Sequence, residues 1–233
     1  MSDVPSPVKR RLPATVLALG FTSLLADIAS EMIFPLLPVF IVSLGAAPTF
    51  LGLVEGLADA TSSVLKLASG HLADRTSTKK PFVVFGYGVA ALARPLVALA
   101  TAPWQVLAVR VTDRIGKGIR TAPRDVLIAN SVTSAESGRA FGFHRAMDHA
   151  GAVIGPIIAT VLLGFGWELR SVFAVALIPG ILSVLAVLTV REPAASHSEA
   201  SEGVDQGLAA NCLVFWNTTR SAEIRQLTCA RTR

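Results

Sequence analysis

Residues 26–38 read ADIASEMIFPLLP and lie inside a long apolar run, yet they carry two carboxylates, Asp27 and Glu31, one helical turn apart. Residues i and i+4 of an α-helix lie on the same face, so both acids share one polar stripe. A charge at the bilayer centre costs roughly 2.5–3.5 kcal/mol on insertion scales, whereas each Leu or Ile contributes only about 0.3–0.6 kcal/mol. We therefore expect both carboxylates to be paired, protonated or turned toward water inside a helix bundle.

The composition of the whole chain points to the same environment. The 233 residues are 52% hydrophobic and only 16% charged, with a mean hydropathy of +0.58, whereas soluble domains are roughly a quarter charged. A bilayer core about 30 Å thick needs roughly 20 apolar residues per helix. The sequence therefore predicts an all-α membrane domain over residues 13–190, with six spans at about 13–44, 49–71, 82–102, 103–129, 140–165 and 170–190.

The basic residues predict how these spans are oriented. Lys and Arg collect in short cytoplasmic loops, and here they occupy the segment 1–12, the link after span two, the link after span four and the position after span six. The links at 45–49 and 100–104 carry no charge. We therefore predict a multi-pass protein of the bacterial cytoplasmic membrane with both termini inside, a short N-terminal segment 1–12 and a polar, disordered tail over 191–233. The net charge of +5 reflects this topology, and no nucleic-acid partner is expected.

The charges inside the spans are unevenly distributed, which predicts a polar cavity. They are concentrated in spans one, two, four and five, whereas span three carries one arginine and span six carries none. We expect these four spans to line the cavity and spans three and six to face lipid. The candidate proton-binding or substrate-binding residues are Asp27, Glu31, Glu55, Asp59, Arg110, Asp113 and Arg114. The competing explanation is that these groups pair only to fix helix register. Arg120, Arg124 and Asp125 lie near the cytoplasmic face, and we expect them to act as interfacial anchors rather than ligands.

Proline supplies a weaker signal for the same function. Pro35 and Pro38 fall in span one, Pro95 in span three, Pro156 in span five and Pro179 in span six, and each is predicted to interrupt its helix. Interrupted helices near the membrane midplane are typical of transporter binding sites. Ordinary kinking is the competing explanation.

One link carries the residues of a known motif. GHLADRTSTKK, residues 70–80, resembles the signature loop between spans two and three of the major facilitator superfamily, and Gly70, Asp74, Arg75, Lys79 and Lys80 match it. Ser77 and Thr78 depart from the family pattern. In the family this loop acts as a conformational latch, which is the role that the resemblance implies here.

Two further stretches are similar to the same family. Arg110 stands where the family often has a membrane-embedded arginine in span four, and GAVIGP, with Gly151, Gly155 and Pro156, resembles a span-five motif of proton-coupled exporters. Close helix packing is the competing interpretation of these small residues. The resemblance covers roughly residues 12–191 and implies two inverted three-helix repeats forming one half of a twelve-helix fold. It also implies alternating access and proton-coupled efflux of a small molecule, as in a bacterial drug-efflux-like subgroup.

The implied partners are membrane lipid, a small-molecule substrate, protons and a second six-helix half, from a second copy or a separate chain. No cofactor, metal or enzymatic activity is expected. Because residues 191–233 contain no further span, we interpret the chain as a truncated or frame-shifted product, with a true half-transporter as the alternative. Two rival functions stay open, a non-transporting or inactive membrane protein and a membrane-embedded lipid-phosphate transferase that would use the basic cluster of span four.

Overall fold

The computed structural model describes residues 11–76 and 78–192, without the side chain of Asp74. Predictions made for residues 1–10 and 193–233 therefore lie outside the described residues. Within the described ranges every regular element is a helix and no strand occurs. This confirms the all-α class.

Helical structure covers all six predicted stretches. The first consists of α1 (Ala14–Glu31), a 3₁₀ turn (Phe34–Leu36) and α2 (Leu37–Ser43), and the second is α3 (Thr49–Arg75). The third is α4 (Lys80–Ala93) followed by a 3₁₀ segment (Arg94–Leu99), and the fourth is α5 (Pro103–Ala129). The fifth is α6 (Ser134–Gly164), which begins before the predicted position 140, and the sixth is α7 (Leu169–Val175) with α8 (Leu177–Leu188).

Most of the predicted proline breaks coincide with changes in helix type. Pro35 lies in the 3₁₀ turn between α1 and α2, and Pro95 lies in the 3₁₀ segment after α4. Pro179 falls in the first turn of α8, just after the break at Ala176. The prediction was wrong for Pro156, because α6 runs through it without interruption.

The helices pack in an order that differs from their order in the chain. α5 packs between α3 and α4, α1 packs between α6 and α8, and α4 contacts α8. If the first span is exchanged with the fourth, the second with the fifth and the third with the sixth, these contacts map onto themselves. The contact pattern therefore has the symmetry that two three-helix repeats would produce.

The domain has a charged interior and an apolar exterior. Arg94, Arg110 and Asp113 are buried, whereas Leu67 and Phe165 are each 80% exposed. A soluble protein shows the opposite distribution, so this surface fits a lipid environment. Four stretches in the described chain are long and apolar enough to cross a membrane, Ala14–Ser43, Lys80–Leu99, Ser134–Gly164 and Leu169–Leu188. That α3 and α5 also cross, and that the termini are cytoplasmic, stay predictions.

One end of the bundle gathers the start of α1, the end of α8 and the link between α3 and α4. Thr15 Oγ1 donates to the Arg191 carbonyl at 3.1 Å, and Lys80 Nζ donates to the Leu188 carbonyl at 2.8 Å. The Lys79 backbone N–H also donates to the Glu192 carboxylate. We call this the basic end of the bundle.

Candidate functional site

Glycines bring α5 close to both of its neighbours. A Cβ on Gly116 would lie 2.5 Å from the Gly86 carbonyl oxygen of α4, and a Cβ on Gly118 would lie 2.6 Å from Leu65 Cβ of α3. Both distances are too short for a side chain, so only glycine allows this packing. Lys117 lies between these two glycines. The GKG sequence therefore sets the position of α5 and of its charged face.

A network of six charges runs from α3 through α5 to Arg94, the first residue of the 3₁₀ segment after α4. Its members, which we call the α5 network, are Glu55, Asp59, Arg94, Arg110, Asp113 and Arg114. The central pair is bidentate: Arg110 Nε and Nη2 donate to the two Glu55 carboxylate oxygens at 3.0 and 2.9 Å. Such two-point pairs hold their geometry better than single ion pairs. Arg110 therefore ties α5 to α3.

Asp113 holds the most deeply buried part of the α5 network. It accepts a hydrogen bond from Arg94 Nε at 2.8 Å, and Arg110 Nη1 lies 3.6 Å from its other oxygen. Arg94 also donates from Nη1 to the Ala26 carbonyl at 2.9 Å, which connects the network to α1. The single charge of span three therefore turns inward and is used structurally.

Arg114 completes the network at its more accessible edge. Its guanidinium lies 3.5 Å from both Glu55 and Asp59. The Asp59 side chain is 70% exposed. Five of the seven predicted site residues are therefore brought together with Arg94, and every acid among them has a basic partner.

The two carboxylates that opened the sequence argument lie apart from this network. Among the described residues, no hydrogen bond or ion pair within 4 Å reaches the side chain of Asp27 or Glu31, although both are only partly exposed. Lys117 and Arg114 interact electrostatically with Glu31. Lys117 also interacts electrostatically with Asp27. Two acids therefore face basic groups of α5 without direct contact.

Arg120 is a second unusual cation. It is only 3% exposed, and its Nε and Nη1 have no hydrogen-bond partner among the described residues. Its guanidinium lies over the Tyr87 ring at 4.0 Å from the ring centre. An unpaired buried guanidinium is costly, so the aromatic face is its main stabilising contact in this arrangement.

The span-five glycines pack directly behind the two acids. A Cβ on Gly151 would lie 2.7 Å from the Leu24 carbonyl oxygen and 2.9 Å from Asp27 Cβ. A Cβ on Gly155 would lie 2.8 Å from the Ile28 carbonyl oxygen and 2.9 Å from Glu31 Cβ. The glycines of GAVIGP therefore allow α6 to contact the backbone of α1 at the acid-bearing turns.

A second polar cluster lies nearer the basic end, and sequence reasoning did not assemble it. Ser23 Oγ lies 2.9 Å from Tyr87 Oη and 2.9 Å from His144 Nε2, and Arg124 Nη1 donates to it at 3.3 Å. His144 Nδ1 lies 3.4 Å from an Asp148 carboxylate oxygen. We call these residues the Ser23 cluster. Of its members the sequence argument singles out only Arg124, because a serine and a tyrosine carry no spacing signal.

The expectation that Arg120 and Arg124 are interfacial anchors was wrong. Both are buried, at 3% and 7% exposed. Position along the helix was the basis of that expectation, but the glycines on α5 bring its neighbours close enough to enclose both guanidinium groups. Asp125 is the exception: its side chain is 37% exposed and pairs with Arg124 at 3.0 Å.

The signature loop lies at the basic end. Lys79 Nζ donates to the Thr76 carbonyl at 2.7 Å, and Lys80 bonds to the end of α8 as described above. Gly70 lies near α5, where a Cβ would come within 3.7 Å of Ala122 Cβ, and Arg75 is exposed. Ser77 and the side chain of Asp74 lie outside the described residues. The loop therefore connects span two to the ends of α5 and α8.

No three His, Cys, Asp or Glu side chains within residues 11–76 and 78–192 come together in a group that could hold a metal ion. The contacts in the described chain that organise the site are ion pairs, hydrogen bonds and glycine-mediated helix packing.

Comparison with known proteins identifies the fold. Curated relatives include an uncharacterised MFS-type transporter of Methanocaldococcus jannaschii, 35% identical over 192 residues that cover 82% of this chain and 48% of the relative. They also include the multidrug resistance protein MdtH of Photorhabdus laumondii, 32% identical over 181 residues that cover 74% of this chain and 45% of that protein. The chain therefore spans about half the length of the curated relatives it matches.

Solved structures share the same architecture. A POT family transporter crystallised with 5-aminolevulinic acid matches with a TM-score of 0.70 at 14% identity, covering 93% of this chain and 48% of that one. A bacterial homologue of the lysosomal transporter Spinster, in an inward-facing occupied conformation, matches with a TM-score of 0.64 at 21% identity, covering 79% and 45%. These matches show that the chain shares the fold of these transporters. The family model of the Major Facilitator Superfamily matches residues 19–228, and the chain belongs to that superfamily.

Proposed function

We propose that this chain forms one half of a secondary transporter that exports a small molecule from the cytoplasm by alternating access, driven by protons. Asp27 and Glu31 are the proton-binding groups in this proposal. The observation that carries it is that these two acids have no bonded partner in the described residues, whereas Glu55, Asp59 and Asp113 are each paired with arginine. Unpaired carboxylates inside a membrane domain are costly, and residues of this kind usually mark a functional site.

The arrangement of charges supports an exchange of protons at this position. The pairs Arg94–Asp113, Arg110–Glu55 and Arg114–Asp59 cancel one another's charge. A proton on Asp27 or Glu31 therefore changes the net charge by one unit beside a paired network, with Lys117 and Arg120 as the cations that the pairs leave uncompensated. In a low-dielectric interior such a change acts more strongly on a bound molecule than it would in water.

The α1–α6 contact supports movement of this region as a unit. Gly151 and Gly155 place the α6 backbone against the turns that carry Asp27 and Glu31. A change in the charge of either acid therefore acts at a helix interface rather than on an isolated side chain. This is the property that coupling of protonation to helix movement requires.

A second six-helix unit is the partner that completes this transporter. Asp59 is 70% exposed and Arg145 is 66% exposed on their helices, and charged side chains facing acyl chains would be unfavourable. A second copy of this chain, or a separate chain, would cover these faces and enclose the substrate. The MdtH relative is named as a multidrug resistance protein, and we propose a drug-like small molecule as the substrate.

The link between α3 and α4 fits the latch role within this proposal, with both termini on the cytoplasmic side of the cytoplasmic membrane. Lys80 holds the Leu188 carbonyl at the end of α8, so the loop joins the two three-helix repeats at the basic end. Opening that end requires this bond to break.

The test is transport by the purified chain in proteoliposomes. A cationic dye such as ethidium and an anionic dye such as carboxyfluorescein serve as probes, with an imposed pH gradient and an internal pH-sensitive dye to follow protons. We expect flux of at least one probe to depend on the pH gradient, and Asp27→Asn combined with Glu31→Gln to abolish that dependence. Glu168→Gln, an exposed residue before α7, is the matched control and should transport like the unsubstituted chain.

The two results that would overturn the proposal are distinct. If flux driven by the pH gradient survives in the variant with Asp27→Asn and Glu31→Gln, neither acid takes part in the coupling step. Absence of flux for every probe, with a correctly folded chain, would contradict transport by this chain with a second copy of itself.

A further inference from the structure

The Ser23 cluster contains a carboxyl group that the proposed site does not use. Asp148 lies on α6, one turn before Gly151, and its Oδ1 is buried without a hydrogen-bond partner in the described residues. Its other oxygen lies 3.4 Å from His144 Nδ1, and Asp27 of α1 acts on it electrostatically. The Asp148 side chain is 16% exposed, whereas His144 and Tyr87 are each 1% exposed. Asp148 is therefore the accessible end of a buried chain of polar contacts.

We propose that Asp148 is a further proton-binding site, and that its protonation switches the tautomer of His144 and reverses the hydrogen bond between Ser23 and Tyr87. The inference rests on the proposed proton-coupled function, since it adds a second carboxyl group to the groups that take up protons. It is argued from the number of donors and acceptors that meet at Ser23.

Ser23 Oγ carries one proton and two lone pairs. Three groups have the geometry of hydrogen bonds to it, Tyr87, His144 and Arg124, and Asp148 is a fourth neighbour that interacts with Ser23. Arg124 is always a donor, so its 3.3 Å contact uses one lone pair. Of the two remaining contacts, Ser23 accepts in one and donates in the other. Among these three contacts, Tyr87 and His144 Nε2 therefore take opposite roles, so a change at the imidazole is transmitted to the phenol.

The charges around the ring oppose a second proton on it. The titratable and charged groups that face the Asp148–His144 pair come from every helix packed against it: Asp27 of α1, Tyr87 of α4, Arg120 and Arg124 of α5, and Arg145 of α6. Three of these are arginines, which repel a positively charged imidazole. The ring therefore carries one N–H, whose position depends on Asp148.

With Asp148 ionised, His144 Nδ1 carries the proton and donates to the carboxylate. Nε2 then accepts from Ser23, and Ser23 accepts from Tyr87. The proton that Asp148 takes up forms an O–H bond on the carboxyl group. The imidazole proton moves from Nδ1 to Nε2, so the Nδ1–H bond is broken and an Nε2–H bond is formed. The carboxyl group now donates to Nδ1, Nε2 donates to Ser23, and Ser23 donates to the Tyr87 oxygen. One proton is gained in total.

This reversal changes a contact between helices. Ser23 is on α1, Tyr87 on α4 and His144 on α6, so one serine joins three spans. After the switch the Tyr87 hydroxyl proton loses its acceptor, because Ser23 now donates to that oxygen. Proton uptake at Asp148 therefore reverses the hydrogen bond between α1 and α4 and leaves the Tyr87 hydroxyl proton without that acceptor, while the α1–α6 connection is kept.

The sequence provides convenient probes for the test. It contains four histidines and one tyrosine, so a ¹³C label at tyrosine Cζ gives a single signal from Tyr87. A ¹⁵N label on histidine reports the tautomer of each ring, and His144→Gln identifies the His144 signals. Both labels are measured on the full chain in lipid nanodiscs as the pH is lowered.

We expect His144 to change from the Nδ1–H to the Nε2–H tautomer, and the Tyr87 signal to shift with the same midpoint. Asp148→Asn should remove both changes, whereas Glu136→Gln, a carboxylate in the first turn of the same helix, should leave both unaltered. Ser23→Ala gives a second test if Asp148→Asn does not fold: His144 should still switch, and the Tyr87 signal should no longer follow it.

Three results would overturn the proposal. They are a His144 tautomer that is constant over the pH range, a doubly protonated ring at low pH, and a Tyr87 shift that persists in Ser23→Ala. Failure of the proposed function gives a different result. Flux that is independent of the pH gradient would contradict proton-coupled transport. If the His144 tautomer still switches in that case, and Asp148→Asn removes the switch, Asp148 remains a proton-binding site.

Discussion

Removal of the Asp113 carboxylate should be among the most destabilising changes in this domain. The α5 network contains three acids and three bases, so Asp113→Asn leaves one uncompensated positive charge. Asp113 and Arg94 are 2% and 5% exposed at the side chain and lie 2.8 Å apart. Breaking a buried pair by removing one partner costs about 3–5 kcal/mol. Arg94→Gln should cost a similar amount, since it also loses the hydrogen bond to the Ala26 carbonyl.

The double variant separates the charge effect from the packing effect. Arg94→Gln with Asp113→Asn restores neutrality, so we expect it to be more stable than the sum of the single changes by about 2 kcal/mol or more. Reversible unfolding in mixed detergent micelles, followed by circular dichroism, measures all three. Arg145→Gln, in a pair whose arginine is 66% exposed, is the control and should change stability by about 1 kcal/mol or less. Additive single effects would refute the reasoning, because the two charges would then not be compensating each other.

Three smaller predictions follow from individual contacts. Gly151→Leu should separate α1 from α6 and lower the unfolding midpoint strongly, whereas Ala152→Leu on the exposed side of the same turn should be tolerated; thermal unfolding in detergent compares them. Lys80→Met should lose its bond to the Leu188 carbonyl and raise proteolytic cleavage near residues 76–80 without a change in helix content. Tyr87→Phe should cost about 0.5–1.5 kcal/mol, as for a single hydrogen bond, and unfolding in micelles measures that loss.

The helices were largely predictable because membrane insertion imposes a strong constraint on composition. The charge-free sequence of residues 171–190 and the apolar run around Asp27 and Glu31 leave few alternatives to a helix. The ends were less predictable: α6 begins at Ser134, in a polar stretch that hydropathy alone excludes. Pro156 shows a second limit, because whether a proline ends a helix depends on how its neighbours satisfy the freed carbonyl.

The pairing of charges was only partly predictable. Helical spacing placed Glu55 and Asp59 on one face, and the structure pairs both with arginines of α5. Spacing gave no indication that Arg94 of the third span would turn inward to Asp113, since that depends on the close contact between α4 and α5 at Gly86 and Gly116. A glycine that permits close packing leaves no pattern in the hydropathy of its own helix.

The two sides of the bundle use charge in different ways. On one side of the bundle α3, α4 and α5 are joined by three ion pairs that cancel. On the other side α1 and α6 are joined by glycine contacts, which place no constraint on protonation. Substitution of Asp27 by Asn and Glu31 by Gln therefore breaks no ion pair within the described residues, whereas Asp113→Asn breaks the pair with Arg94. Asp27 and Glu31 can therefore be neutralised at a lower structural cost than Asp113, although hydrophobicity alone would exclude both from a membrane helix.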